Sequence, residues 1–219
     1  MGNSIWPEAA TTADLLTGAR LGKSEAVEQL LTRYRESLRR MVDMRLDKRV
    51  TQRVDVSDVV QDVLLEAHRR LQAYLDNPVL PFHLWIRQIA HDRLIDAHRR
   101  HRGSAKRSVD REQSLGIHGR PDESSIELAG QLVDPELTPA AQAAQRELAQ
   151  RVTECIAQLE PNDQEMLLMR HFEHLSNQEV AIILGLTEPA ASMRYLRAIK
   201  RLRAVIQGKG GPSDPEVVG

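Results

Sequence analysis

Residues 176–203, SNQEVAIILGLTEPAASMRYLRAIKRLR, restrict the chain most tightly, because they read as two short helices around a tight turn. Ser176 followed by Glu179 is a capping box, in which each side chain satisfies an amide left open at the helix start. Val180, Ile183 and Leu184 recur at helical spacing and give the first helix one apolar face. Gly185 supplies the left-handed residue that ends it; Thr187 caps the next helix, and Pro189 is tolerated in its first turn. That second helix carries Arg194, Arg197, Lys200, Arg201 and Arg203 against one acid, Glu188. A helix delivered in this way can put its N-terminal part into the DNA major groove while its cations hold phosphates. The competing reading is an ordinary helical hairpin with a solvated basic face.

The net charge of −1 argues against a simple nucleic-acid binder, but the total hides the distribution. Residues 87–111 hold eight Arg or Lys against three acids, with His91, His98 and His101 among them. Residues 112–147 reverse the balance, with seven acids against two Arg, and residues 188–209 return to six cations against one acid. Local charge is what a phosphate backbone feels within a Debye length, so two basic blocks separated by an acidic stretch remain compatible with DNA. Hydrophobic residues at 41% are enough for cores, and with few prolines the composition predicts an all-α protein. Cys155 is the only cysteine, which leaves no disulfide framework and no thiolate metal cluster. No segment reaches the length of a membrane span, and MGNSIWPEAATTADLL lacks the basic start and apolar core of a signal peptide. The expected compartment is cytoplasmic.

Periodicity divides the 219 residues into two small helical domains, 13–102 and 141–207, a linker over 103–140 and a frayed tail over 208–219. The first domain predicts helices over 13–21, 24–47, 57–75 and 82–100, with Ser24 and Ser57 or Asp58 as caps. Pro78 and Pro81 break the chain between the last two, and such short loops favour an antiparallel bundle. The second domain predicts helices over 141–159, 162–172, 176–184 and 188–206.

Two segments of the first domain stand out. In DVSDVVQDVLLEAH (55–68), Asp58, Asp62 and Glu66 line one helix face as like charges at four-residue steps, which slightly costs helix stability. A solvated face and a docking face for a basic partner are both consistent with this spacing. In FHLWIRQIAHDRLIDAHRRHR (82–102), an apolar side backs a polar side of Arg87, His91, Arg99, Arg100 and Arg102. Such a side beside a proline-bounded loop can follow a nucleic-acid strand electrostatically. Phe82 and Trp85, at helical spacing, read as core packing with one exposed edge.

In this order and spacing the segments resemble the bacterial RNA polymerase sigma factors of the extracytoplasmic-function class, over about 30–102 and 148–205. The resemblance implies that Asp55, Asp58, Gln61, Asp62 and Leu65 bind core polymerase through the clamp helices of its largest subunit. It implies that Asn77, Phe82, Arg87, His91, Arg93, Arg99 and Arg100 serve the −10 promoter element, with the loop 75–81 capturing a flipped-out base. It also implies that Thr187, Ala190, Ser192, Met193, Arg194, Arg197 and Arg201 serve the −35 element. The partners implied are core RNA polymerase, promoter DNA (double-stranded at −35, single-stranded at −10) and an anti-sigma protein. The free form is expected to be a monomer whose two domains move independently.

The chain departs from the family's pattern at Ala190 and Ser192, where Thr and a basic residue are usual, and at Met193, where a small polar residue is usual. Asp92 stands where Asn is common and adds a negative charge near the −10 contacts. These departures imply altered base readout. The acidic linker fits equally a segment threading a basic polymerase channel and a surface tether. Catalysis finds no support: His91-Asp92 lacks supporting ligands, His171 and His174 lack a third, and no Gly-rich phosphate loop is present, so neither cofactor nor metal is expected. The other function class compatible with the C-terminal motif is a stand-alone regulator that binds operator DNA as a dimer. The acidic strip at 55–68 discriminates between the two, because such a regulator has no need for it.

Overall fold

The computed structural model describes residues 5–46, 54–102, 128 and 141–208. The N-terminal unit consists of α1 (Ala9–Arg20), α2 (Ser24–Arg45), α3 (Val56–Asp76) and α4 (Phe82–Arg102). The C-terminal unit consists of α5 (Ala141–Ile156), α6 (Pro161–Leu167), α7 (Asn177–Leu184) and α8 (Glu188–Ile206), with a π-helical turn, Leu168–Phe172, continuing α6. The all-α expectation of two helical units holds. The expected linker, Leu128 excepted, and all but the first residue of the expected tail lie outside the described residues.

The bundle forms because α2, α3 and α4 each turn an apolar stripe inward. Leu30, Tyr34, Leu38 and Met41 of α2 meet Val63, Ala67 and Leu71 of α3 and Ile86, Ala90 and Leu94 of α4, all at most 4% exposed. Burying a side chain of this size is worth about 1.5–3 kcal/mol, so these rows drive the assembly of the helices. Tyr34 and Tyr74 meet the edge of Phe82 at ring-centroid distances of 4.9 and 5.5 Å, and Trp85 stacks against both Tyr74 and Phe82. Phe82 is therefore a core residue, while Trp85 keeps one side at the surface.

Helix boundaries differ from the sequence reading where side-chain chemistry chose a different cap. α3 starts one residue early because the Asp55 carboxylate accepts the Ser57 amide at 2.8 Å, making Asp55 the cap. Ser24 lies inside α2 and does not cap it. α1 begins at Ala9, not at 13, and Trp6 before it is buried against Tyr34 and His83. α1 packs closely on α2: a Cβ on Gly18 would stand 2.8 Å from the Ala26 Cβ.

The C-terminal unit gathers Val152 and Ile156 from α5, Met166 and Leu167 from α6, Val180 from α7, and Ala198 and Leu202 from α8. The capping box of Ser176 and Glu179 is formed, Gly185 takes φ 62°, and the Thr187 hydroxyl accepts the Ala190 amide. Where a plain helix was expected over 162–172, the last turn widens to a π turn. The extra residue in that turn shifts the register so that Phe172 and Glu173 are both buried.

Candidate nucleic-acid interface

Three polar surfaces result. On α3, Asp55, Asp58, Gln61, Asp62 and Leu65 are all exposed, and Leu65 is an apolar side chain in an acidic setting at 52% exposure. Glu66, the next acid on this helix, turns away toward α4. Its carboxylate takes Arg70 at 2.6 Å and Arg93 at 2.9 Å, and these cations hold it below the usual carboxylate range, the Arg70 hydrogen bond most of all. The acidic face is thus Asp55, Asp58, Gln61 and Asp62 around Leu65.

On α8 the outer side of the N-terminal half is open. Thr187, Ala190, Met193 and Arg197 are exposed, and Arg194 and Ser192 are half-buried. Asn177 on α7 donates to the Ser192 hydroxyl at 3.0 Å, which leaves the hydroxyl hydrogen free to donate outward. Arg170 lies 5.5 Å over the Tyr195 ring and donates to the Leu175 carbonyl, while His171 meets the Tyr195 hydroxyl at 3.0 Å. Burial drives the His171 pKa down to about 4, so at neutral pH this histidine packs as a neutral ring that steadies α8. Arg201 is turned back to Asp163 of α6 at 2.6 Å, so it braces the unit. Among the described residues no group of three metal-ligating side chains converges.

The α4 surface is partly covered. Arg99, Arg100 and, at the end of α3, Asn77 are exposed, and Arg93 is engaged by Glu66 and, at 3.7 Å, by Asp96. Arg87 is only 3% exposed because the C-terminal unit lies on it. Its guanidinium donates to Glu173 at 2.5 Å and to Glu165 at 3.0 Å. Arg45, at the end of α2, joins the same two carboxylates, reaching Glu165 at 2.6 and 3.2 Å and also bonding Glu173. Arg45 and Glu173 are fully buried and Glu165 largely so. Burial alone would raise the pKa of each glutamate. The two guanidiniums outweigh it, holding Glu165 down to about 2 and Glu173 below the usual range. A second contact crosses nearby: His83 of α4 meets Glu179 of α7 at 2.6 Å, and that bond, with the Ser176 amide, pulls Glu179 to about 2. Burial, with Arg45 and Arg87 close by, lowers the His91 pKa, so this residue is not a cation of the strip in this arrangement.

Periodicity gave no account of Arg45, Glu165, Glu173, His83 or Glu179 as a shared site. One signal was present: Arg45 occupies the next step of the stripe Leu30, Tyr34, Leu38, Met41, where an apolar residue belongs. Glu173, closing the run MLLMRHFE, is the corresponding exception in the other unit. The two exceptions meet each other. In this structure the two units meet through a shared ionic contact.

The sigma-70 region 2 model matches residues 27–104, and the sigma-70 region 4 model matches residues 149–202. The chain belongs to the sigma-70 family. The RNA polymerase sigma factor CnrH of Cupriavidus metallidurans is 29% identical over 152 residues, covering 69% of this chain and 73% of that protein. The "Probable RNA polymerase sigma factor RfaY" of Xanthomonas campestris pv. campestris is 32% identical over 146 residues, covering 67% of this chain but only 32% of that protein. The solved structure of CnrH in complex with the cytosolic domain of CnrY superposes with a TM-score of 0.51 at 20% identity. It covers 92% of this chain and 98% of that one, and it supports the fold alone. The protein is thus a sigma factor, a promoter-directing transcription initiation factor whose partners are RNA polymerase and promoter DNA. Family members are initiation factors that carry out no catalysis themselves. Among the described residues no helix is long and apolar enough to cross a membrane.

Proposed function

We propose that the three surfaces divide the work of initiation as follows. The exposed patch of Asp55, Asp58, Gln61, Asp62 and Leu65 docks on the clamp helices of the polymerase largest subunit. Acids set around one exposed leucine suit a basic partner helix, with the leucine as anchor and the charges fixing register. Residues 13–102, extended by the start of α1, form the unit that holds the −10 element, and residues 141–207 form the unit that holds −35. Asn77, Arg93, Arg99 and Arg100 hold the single strand at −10, joined by Arg87 and His91 once these are uncovered; Phe82 shapes this surface from within the core. The open face of α8 enters the major groove at −35, with Arg194 and Arg197 on phosphates or a guanine edge and Ser192 and Met193 against bases. No cofactor and no catalytic residue are required, and the site of action is the cytoplasm. CnrH is known with the cytosolic domain of CnrY, which supports the reading that a protein inhibitor can also hold this chain.

The observation that carries the proposal is the combination of an exposed acidic face on the region 2 unit with an open basic recognition helix on the region 4 unit. Its test is run-off transcription with core polymerase and fragmented genomic DNA from the source organism, with sequencing of transcript 5′ ends. Discrete starts sharing upstream elements near −35 and −10 are expected. Specific duplex binding by the chain alone, without initiation, would instead favour the operator-binding regulator.

A further inference from the structure

Arg45 and Arg87 come from different helices of the region 2 unit and converge on one point, where Glu165 Oε1 and Glu173 Oε1 each accept from both guanidiniums. Such a pair is built to hold an anion with two oxygens, the shape that a carboxylate and a phosphodiester share. Both carboxylates belong to the region 4 unit, so this anion site is filled by a part of the chain that reaches it across a domain boundary. Among the described residues Arg45 Nε has no hydrogen-bond partner, so the carboxylates leave a donor of the buried fork unused.

We propose that Arg45 and Arg87 form a phosphate-binding clamp for the promoter strand, and that Glu165 and Glu173 of the region 4 unit occupy it competitively in the free protein. The inference rests on the reading of α4 as the −10 surface and adds a residue, Arg45, and a mode of control to it. In the closed state the two glutamates stand in for backbone phosphates, and His83–Glu179 closes a second point of the same boundary. Lifting the region 4 unit leaves two guanidiniums side by side with their charges unmet, and a phosphodiester restores the lost hydrogen bonds. A buried ion cluster suits such a switch. Its net contribution to stability is small, because desolvation offsets the Coulomb gain, whereas an apolar interface of equal size would not part readily in favour of a charged ligand. Separation also lets the freed charges regain water, so the units can part without either one unfolding.

The test uses the full-length chain with E165Q/E173Q, a labelled single-stranded DNA oligonucleotide and fluorescence anisotropy. Closure lowers the apparent affinity by the fraction of molecules that are open, so the double variant should bind the oligonucleotide roughly tenfold tighter or more. Its salt dependence should steepen by the equivalent of about two phosphate contacts. Adding R87Q, or R45Q and R87Q together, should remove that gain; the change is tolerable because Arg87 faces solvent once the units part. Circular dichroism and thermal melting of E165Q/E173Q should show both units folded. Unchanged affinity in E165Q/E173Q would overturn the competition. A gain that survives R87Q and R45Q/R87Q would mean the glutamates repelled DNA only through charge, which overturns the clamp. Loss of folding in E165Q/E173Q would make the cluster a structural core, which also overturns the proposal. Wild-type initiation with none of these effects removes this inference alone, whereas wild-type failure to initiate on any promoter removes the reading beneath it.

Discussion

The outer face of α3 and the polar face of α4 belong to the same bundle and are made alike, as polar strips on amphipathic helices, yet they meet the solvent differently. Asp58, Gln61 and Asp62 stand open on one, while on the other Arg87 is covered by the C-terminal unit and His91 is half-buried. The second helix of the C-terminal motif, α8, resembles α3 in this respect, with Met193 and Arg197 exposed. On the roles proposed above, the free molecule is therefore prepared to meet polymerase and duplex DNA before it is prepared to hold a single strand. This order is sensible for a factor that should open DNA only on the polymerase. The difference arises from Glu165 and Glu173, two residues of the other unit, and not from anything in α4 itself.

The sharpest way to break the comparison is to ask whether a residue on α4 acts through packing or through DNA. Phe82→Ala should destabilise the N-terminal unit by about 3–5 kcal/mol, because the ring is buried between Tyr34 and Tyr74. A chemical denaturation curve with an unchanged midpoint would return Phe82 to the list of direct DNA contacts. On α3 the expectation is reversed. D58K/Q61K should leave the melting profile intact and abolish measurable polymerase binding by gel filtration or surface capture, since both side chains are exposed. Retained binding would remove this face from the docking surface.

Smaller effects separate neighbours on α8. Arg201→Ala should cost about 1–2 kcal/mol of stability by stranding the buried Asp163 carboxylate, with little change in −35 affinity. Arg197→Ala should do the opposite, weakening binding to a −35 duplex and flattening its salt dependence by about one phosphate contact. Gly185→Ala should cost about 1 kcal/mol, since φ 62° places a Cβ against the following carbonyl, and should loosen the turn that aims α8.

The least effect is expected from pH within the physiological range. The folded-state pKa values of Glu165 and Glu179 are depressed to about 2, so their contribution to closure is complete above the ordinary value of 4.5. It is lost as pH falls from there toward about 2. The separation of the units should hold constant from neutrality down to mild acid and grow only below it. Opening centred near neutral pH would assign closure to histidine instead.

Much of this was legible in the sequence. The capping box, the left-handed Gly185 and the Thr187 cap are local, so their chemistry could be read directly from neighbours in the chain. The stripes of α2, α3 and α4 followed from period alone, and so did the exposure of Asp58 and Gln61. Arg87 was read correctly as polar and basic, but its burial depends on residues about eighty positions away, which no local pattern encodes. The π turn that precedes Glu173 likewise departs from the plain helical period over 162–172. Arg45 and Glu173 were visible only as exceptions within apolar patterns, and an exception shows that a partner exists without naming it.

The claim that the region 4 unit closes over the −10 surface is tested most directly by a distance between the units. Spin labels at Gln72 and Glu188, both exposed, on a Cys155→Ser background can be read by pulsed electron paramagnetic resonance. The measurement is made on the free chain and again in complex with core polymerase and promoter DNA. The account predicts one narrow distance in the free chain and a longer one in the complex. A broad distribution in the free chain, or the same narrow distance in both states, would contradict it.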